Sequence, residues 1–250
     1  MNTGSEEGWR IKVGACCFED AKSALKLVKE LTDTHIAELR GVLLEEEYLS
    51  GIELLPKQLV VTTSGSIEKI PSQKRINTII AGEEAAFRDL LSKVSINLNW
   101  SFERRRGDLH SSILETDDGW DVLFVGCYEL RKQTGEIVLI APPQSATYEA
   151  SSLAFELAQR LLTGIRVLTL EEDWIADSMN QAPVEHVKSR EALLSRLSEI
   201  SASAVVLDLS AGPISGREDM QRLFAAAGCP VVVFGNSGKR KKVSHDDDWA

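Results

Sequence analysis

Short apolar runs alternate with amphipathic segments along most of the chain. The first run, IKVGACC at residues 11–17, leads into FEDAKSALKLVKELTDTH, where apolar residues recur at helical spacing. IAELRGVLLE (Ile36–Glu45) predicts a second strand, and residues 100–126 combine the strand WSFERRRG, the helix LHSSILET begun by Asp108, and the apolar strand WDVLFVG. Strand, helix and strand in this order predict parallel strands joined by a crossover, and therefore an α/β sheet covered on both faces.

Two segments before residue 100 are less regular. Residues 58–72, QLVVTTSGSIEKIPS, allow either a small hairpin turning at Ser64-Gly65-Ser66 or an extended excursion from the sheet, and we treat them as an insertion. Residues 73–97 carry apolar residues at helical spacing and predict a long helix interrupted near Gly82.

The pattern begins again after the polar connector CYELRKQTG. GEIVLIAPP predicts a strand, ATYEASSLAFELAQRLL a helix, IRVLTLEED a strand and PVEHVK a short strand. They are followed by a helix opened by Ser189, the strand SAVVLDL, a helix closed by Gly228 and the last strand PVVVFG. This internal repeat predicts a first domain at 11–132, without the last helix and strand, and a second domain at 133–236. Residues 1–10 are expected to be a flexible leader, and residues 237–250 a disordered tail, because the tail has a basic and an acidic run and few apolar residues.

Charge and composition argue against several classes of partner and site. The chain has 250 residues and a formal net charge of −10, so we expect no general attraction to nucleic acid or to anionic membranes. It has no apolar run long enough for a membrane span, and its first residues are polar and acidic, which predicts a cytoplasmic protein without a signal peptide. Its four cysteines lack the spacing of a zinc site and predict reduced, mostly buried thiols.

The order of these units resembles a known family. IKVGACC, FEDAKSALKLV, LRGVLLEEE and RGDLHSSILETDDGWDVLFVG in the first half, and PPQSATYEASSLAFELAQRL, SAVVLDL and AAAGCPVVVFG in the second, resemble a tandem pair of universal stress protein domains over about residues 11–235. The resemblance implies two Rossmann-like (adenine nucleotide alpha hydrolase-like) open parallel sheets in tandem, each with strand order 3-2-1-4-5. It places any ligand at the carboxyl ends of strands 1 and 4, where the order reverses.

The nucleotide-binding pattern of that family is missing from both halves. Such members have an acidic residue after strand 1 and a glycine-rich loop after strand 4, because glycine lets backbone N–H groups close around phosphates. In place of the acidic residue after strand 1, the first half has Cys16-Cys17 and the second half has PPQ. After strand 4 of the first half, Gly126 is followed by CYELRKQTG, with Glu129 in place of the second glycine. After Asp208 the glycines have other spacings. We therefore expect no ATP site of the family type and no cofactor.

Three consecutive arginines offer an alternative anion site. They precede Gly107 and a predicted helix start, and guanidinium and helix-end N–H groups both favour anions. The candidate residues of this site are Arg104, Arg105, Arg106, Cys17 and Gly126. The simpler interpretation is that the arginines lie on an edge strand, point to solvent or pair with Glu103 and Asp108, and discourage aggregation between sheets.

Two further groups of side chains have both a functional and a structural interpretation. Cys17 and Cys127 follow strands 1 and 4 of the first half and could form a redox pair, but small apolar packing residues are the simpler explanation. The acidic groups at residues 45–47 and 171–173 could serve acid–base chemistry or a divalent ion, although a solvated loop face is the simpler explanation. The histidines are scattered without ligand spacing, so we expect no metal site.

These observations predict a non-catalytic, stress-associated regulatory or adaptor protein of the universal stress protein type. An enzyme would need a nucleophile–base pair or a phosphate loop, and the sequence has neither. The alternative is a nucleotide- or small-anion-binding sensor with a divergent site at the strand ends of the first domain. A protein partner or self-association is expected through the last strand, with Val231, Val232 and Val233 against either the first domain or a second chain.

Overall fold

The computed structural model describes residues 8–32, 36–45, 59–61, 67–69, 73–96, 98–107, 119–127, 135–142, 149–172, 174 and 182–235. The strands are β1 (Trp9–Ala15), β2 (Ile36–Glu45), β3 (Leu59–Val61), β4 (Ile67–Lys69), β5 (Asn99–Arg106), β6 (Val122–Val125), β7 (Glu136–Ile140), β8 (Ile165–Thr169), β9 (Val184–His186), β10 (Ala202–Asp208) and β11 (Val231–Phe234). The helices are α1 (Phe18–Glu30), α2 (Gln73–Val94), α3 (Glu149–Arg160), α4 (Arg190–Glu199) and α5 (Gly216–Ala227).

Nine of these strands form one sheet in the order β5-β2-β1-β6-β11-β10-β7-β8-β9. Every neighbouring pair is parallel except β6 and β11, which run antiparallel. The first strand of each half lies between two strands of its own half, as β2-β1-β6 and as β8-β7-β10. The expectation of two separate sheets is therefore corrected, because the two halves share one continuous sheet.

The junction between the halves explains this correction. The last strand, β11, pairs with β10 on one side and with β6 on the other, so both of its edges are hydrogen-bonded within the chain. Val231, Val232 and Val233 are buried and lie against Val125, Phe124 and Leu123. In the described part of the first half, no further strand after β6 pairs with its free edge. A buried strand edge without hydrogen-bond partners is costly, and β11 supplies those partners. The last strand was expected to lie against either the first domain or a second chain, and in this structure it lies against β6 of the first half.

The hydrophobic core lies on both faces of the sheet. One cluster packs alternate residues of β1 against α1, α2 and α3, with Val13, Leu25, Phe87 and Leu153 fully buried. The other cluster packs the opposite face against α4 and α5 and includes residues of β2, β6, β10 and β11. The short continuous apolar runs of the sequence are explained by this burial on both faces.

Two boundaries differ from the predictions. Strand β1 begins at Trp9, inside the predicted leader, because Trp9 pairs with Ile36 and its ring contacts Phe234 edge to face at 5.7 Å. Helix α2 continues through Gly82 without interruption. Glycine costs a helix roughly 1 kcal/mol, and burial of Phe87 and Leu91 one and two turns later offsets that cost.

Several local predictions are confirmed. Residues 59–61 and 67–69 pair antiparallel, as the hairpin alternative for the insertion predicts, whereas the predicted turn at Ser64-Gly65-Ser66 lies outside the described residues. The Ser189 hydroxyl caps α4 by accepting a hydrogen bond from the Ala192 N–H at 3.2 Å, and Gly228 ends α5 in the left-handed conformation at φ 56°. The predicted helix after Asp108 and the predicted disordered tail lie outside the described residues.

Candidate functional site

The carboxyl ends of β1 and β6 meet the first turn of α1. Cys16 and Cys17 connect β1 to the helix, and Cys17 occupies the N-cap position without a side-chain cap. Two carboxylates accept N–H groups at this turn: Asp20 Oδ2, from the first turn of α1 itself, accepts from the Cys16 N–H at 3.2 Å, and the Glu83 carboxylate of α2 accepts from the Phe18 N–H. The beginning of α1, which favours anions, is therefore occupied by the chain's own negative charges.

Gly126 packs directly on the same helical turn. Its N–H donates to the Gly14 carbonyl at 3.0 Å, which continues the pairing of β6 with β1. A Cβ atom at Gly126 would lie 2.0 Å from the Asp20 carbonyl oxygen. The next residue, Cys127, donates its N–H to Ser23 Oγ at 3.1 Å. Close packing of β6 against α1 therefore requires glycine here, and this requirement is structural.

Three of the four cysteines lie near this edge. Cys16, Cys17 and Cys127 are partly exposed, Cys229 is buried, and all four are unbridged. Burial raises the pKa of Cys17 to about 11, so its thiol is protonated at neutral pH. Because the thiolate is the reactive form, Cys17 is a poor nucleophile in this structure.

The three arginines lie on β5, at one edge of the sheet, and each is paired with a glutamate. Arg104 donates to Glu45 Oε2 from Nη2 at 2.5 Å and from Nε at 3.1 Å, and Arg106 Nε lies 3.4 Å from the same oxygen. Arg105 Nε lies 2.6 Å from Glu103 Oε1. The predicted pairing with Glu103 is confirmed, whereas Asp108 lies outside the described residues.

The remaining members of the predicted anion site lie on other strands. β2 and β1 separate β5 from β6, which places the backbones of β5 and β6 about 14 Å apart at ordinary strand spacing. The structure thus brings the arginines to Glu45 of β2, while Cys17 and Gly126 belong to the edge where β1 and β6 end. Sequence reasoning missed the role of Glu45 because that residue is 59 positions from Arg104.

Glu45 should make the stability of this edge depend on pH. Burial raises the pKa of its carboxyl, but the hydrogen bonds and charges of Arg104 and Arg106 outweigh burial and hold that pKa below its ordinary value. The stabilisation is therefore complete above the unfolded-state pKa of about 4.3 and disappears as pH falls through the lower, folded-state value. We expect Glu45→Gln to destabilise the protein at neutral pH, and the difference from wild type to shrink below pH about 4 in urea titrations.

The matched control for Glu45 removes its cationic partners. In a chain that carries Arg104→Gln and Arg106→Gln, adding Glu45→Gln should have a much weaker pH-dependent effect. An undiminished pH dependence in that background would show that the arginines are not its cause.

The corresponding edge of the second half is organised by Asp208. Its carboxylate is buried, and Oδ1 accepts from the Ser210 N–H at 2.8 Å and from Ser210 Oγ at 2.6 Å. Gly235 has φ 108°, and a Cβ there would lie 2.7 Å from the same oxygen. The spacing of Asp208 and Ser210 is typical of an Asx turn, which is the local signal for this arrangement.

Of the acidic groups predicted at residues 45–47 and 171–173, the structure describes Glu45, Glu171 and Glu172, whereas residues 46, 47 and 173 lie outside the described residues. The Glu171 carbonyl lies 2.8 Å from His186 Nδ1, and the side chain of Glu45 is engaged by arginines. No group of three or more His, Cys, Asp or Glu side chains within the described ranges is placed to hold a metal ion. Among the same residues, no helix is long and apolar enough to span a membrane.

Comparisons with known proteins give limited similarity. No protein-family model and no curated protein sequence matches the chain. A universal stress protein from Archaeoglobus fulgidus DSM 4304 superimposes with TM-score 0.49 and 9% identity over 90% of this chain and 96% of that chain. N-acetylneuraminic acid (sialic acid) synthetase from Leptospira borgpetersenii in complex with citrate gives TM-score 0.20 and 11% identity over 91% of this chain and 87% of that chain. The α/β architecture is established by the sheet topology itself.

Proposed function

We propose that the chain is a non-catalytic regulatory or adaptor protein of the universal stress protein type, built from two fused domains that hold no ATP at the carboxyl ends of their strands. The observation that carries this proposal is the occupation of the α1 N-terminus by Asp20 and Glu83. A phosphate entering there would compete with two carboxylates for the same N–H groups and would be repelled by their charge.

The packing of Gly126 supports the same proposal. A nucleotide at a topological switch point needs a crevice between the two strand ends and the helices that follow them. Here the residue after β6 approaches the α1 backbone so closely that not even a methyl group fits. The second half supports it independently, because the buried Asp208 carboxylate lies where β10 ends and adds negative charge at that edge.

The topology supports the interpretation as two fused domains. β1 lies between β2 and β6, and β7 lies in the same way between β8 and β10. The two halves meet through the antiparallel pair of β6 and β11. A protein partner that pairs with β11 would have to displace one of these two neighbours. We therefore propose that partners bind another surface, and that the last strand serves as the internal connection between the domains.

The test is a titration of the full chain with Mg²⁺-ATP, followed by thermal unfolding and calorimetry. A ligand at 100 times its Kd stabilises a protein by about 2.7 kcal/mol, which raises the Tm of a chain of this size by roughly 5–10 °C. We expect no shift and no binding heat at millimolar Mg²⁺-ATP relative to MgCl₂ at matched ionic strength. Saturable binding, or release of phosphate from ATP, would overturn the proposal.

The adaptor role has its own test. The tagged chain is cross-linked in stressed and in unstressed cells, and each protein recovered is purified and titrated back onto the chain. We expect at least one protein to bind directly and reversibly in the absence of nucleotide. If every recovered protein requires Mg²⁺-ATP to bind, the chain is a nucleotide sensor instead.

A further inference from the structure

A groove of about 290 Å³ lies where α1 of the first half meets the end of α3 in the second half. Lys26 and Leu27 of α1 form one wall, and Leu161, Leu162 and Thr163, which follow α3, form another. We call it the inter-half groove. The last strand is paired on both edges, so a partner of this chain needs a different surface, and both halves contribute to this one.

Leu162 ends α3 with an unfavourable backbone conformation. The Leu162 N–H donates to the Gln159 carbonyl at 3.2 Å, and the Thr163 N–H donates to the Ala158 carbonyl at 3.0 Å. These two bonds form a Schellman motif, in which the residue after the helix is left-handed, and Leu162 has φ 51°. Glycine usually occupies that position, as Gly228 does after α5, because a Cβ atom is strained there.

The Leu162 side chain is also exposed. It is 94% exposed, more than any other large apolar side chain in the part of the chain that the structure describes. A single exposed leucine is ordinary on a protein surface, but a strained and exposed leucine costs folding free energy in both its backbone and its hydration. Burial against a partner explains both features together. Leu27 and Leu161 beside it belong to the core or pack on it, and they extend the apolar surface.

The polar groups at the floor of the groove are satisfied within the chain. Thr163 Oγ1 and Ser203 Oγ both donate to the Gly135 carbonyl at 2.7 Å. The Gly135 N–H donates to Ser203 Oγ at 3.0 Å. An apolar side chain that covers them therefore leaves none of these groups without a hydrogen bond. The inter-half groove thus favours an apolar group over a small polar ligand.

A row of lysines lies along α1 beside the groove. Lys22, Lys26 and Lys29 are exposed and have the spacing of residues on one helix face. Lys26 lines the groove itself, and Lys22 Nζ lies 3.3 Å from Glu19 Oε2. Exposed ion pairs of this kind are weak, so a partner's carboxylate can replace the intrachain one. The row therefore favours acidic side chains next to the apolar surface.

We propose that the inter-half groove docks an acidic amphipathic segment of a partner protein. Leu162 anchors the apolar face of the segment, and Lys26 and Lys29 contact its carboxylates. Amphipathic helices bind apolar grooves in this way, through anchors at helical spacing. A second copy of this chain is the less favoured occupant, because two chains of net charge −10 repel each other. This inference rests on the proposed adaptor function, for which it names the partner-binding surface.

The experiment measures the fluorescence anisotropy of a labelled synthetic peptide during titration with the full chain. The peptide has about 15 residues, with leucines at helical spacing and glutamates at the other positions. We expect saturable binding that weakens as the salt concentration rises. A peptide of the same composition in scrambled order, and one with lysine in place of glutamate, should each bind roughly tenfold more weakly or worse.

Leu162→Gly should change stability and binding in opposite directions. Glycine relieves the left-handed backbone, so the Tm should rise by roughly 2–4 °C. It also removes the anchor, so peptide affinity should fall roughly tenfold, which corresponds to the burial of one leucine side chain. Leu162→Ala should weaken binding to the same extent without the rise in Tm. Ile96→Ala is the matched control, because Ile96 is 82% exposed and does not line the groove.

Charge reversals test the lysine row. Lys26→Glu and Lys29→Glu should each weaken peptide binding roughly two- to fivefold at low salt, and the difference from wild type should shrink at high salt. Lys93→Glu is the matched control and should bind like wild type. Lys93 is an exposed lysine of α2, its Nζ lies 2.6 Å from Asp89 Oδ2, and it does not line the groove.

Three results would overturn the inference. These are no saturable binding of the glutamate peptide, equal affinity for the scrambled peptide, and unchanged affinity in Leu162→Ala or Lys26→Glu. A dimer of the chain that Leu162→Ala dissociates in sedimentation equilibrium would make a second copy the occupant and would also overturn it.

The adaptor function fails by a different observation. If no purified cellular protein binds the chain without nucleotide, the adaptor function fails whatever the peptide does. If cellular partners bind wild type and Leu162→Ala equally, the adaptor function stands and the inter-half groove is the wrong surface.

Discussion

Replacing Phe124 by alanine should lower the free energy of unfolding by about 3–5 kcal/mol and should leave both halves unfolding in a single transition. Phe124 is fully buried in the middle of β6 and belongs to the core cluster that both halves share. It aligns with Val13 of β1 on one side and with Val232 of β11 on the other. A cavity at this point weakens the contacts by which the two halves support each other.

The measurement is urea unfolding followed by far-ultraviolet circular dichroism and by tryptophan fluorescence. Single-tryptophan chains that retain either Trp120 or Trp174 report on the first and the second half. We expect both probes to shift together in Phe124→Ala. Ile96→Ala is the control, because Ile96 is 82% exposed and its truncation should change stability by less than about 0.5 kcal/mol. A second-half transition that is unaffected by Phe124→Ala would mean that the halves fold independently.

Replacing glycine by alanine should lower the free energy of unfolding at Gly126 and raise it at Gly82. At Gly126 the added Cβ meets the Asp20 carbonyl oxygen at 2.0 Å and the Asp20 carbonyl carbon at 2.4 Å. These are backbone atoms, so no side-chain rotation relieves the clash and α1 must move away from β6. Overpacking of this kind costs about 1–3 kcal/mol or more.

At Gly82 the same methyl group has no atom within 4 Å, and the residue lies inside α2. Alanine there should stabilise the protein by about 0.5–1 kcal/mol, because it restricts the unfolded chain and favours the helix. Urea midpoints at equal m-values measure both effects. Equal signs at the two positions would contradict the close approach of β6 to α1.

Local elements were predictable because their signals are local. The caps Ser189 and Gly228, the apolar run of β11 and the bounds of β2 depend on neighbouring residues that a short window contains. The continuity of α2 was not predictable in this way. Gly82 lowers the local helix propensity, and the compensating burial of Phe87 arises only when the helix meets the sheet.

In the candidate site, too, the contacts within one strand were predictable and the contacts between distant residues were not. The sequence identifies three arginines and their nearby glutamate, Glu103, because these lie on one strand. It does not identify Glu45 as the partner of Arg104, or Glu83 as the acceptor at the start of α1, since these pairs are 59 and 65 positions apart. Such contacts depend on which strands and helices become neighbours, which local spacing does not encode.

By itself the sequence determined the alternation of strands and helices, the α/β class, and the absence of the family's phosphate-loop spacing after β6. These follow from periodicity and from the residue types at each turn. Only the tertiary structure decided that β11 joins β6 and unites the halves in one sheet, and that Lys26 and Leu162 line one groove. The physical reason is that long stretches of chain separate β6 from β11 and Lys26 from Leu162, so these residues become adjacent only when the strands find their order in the sheet.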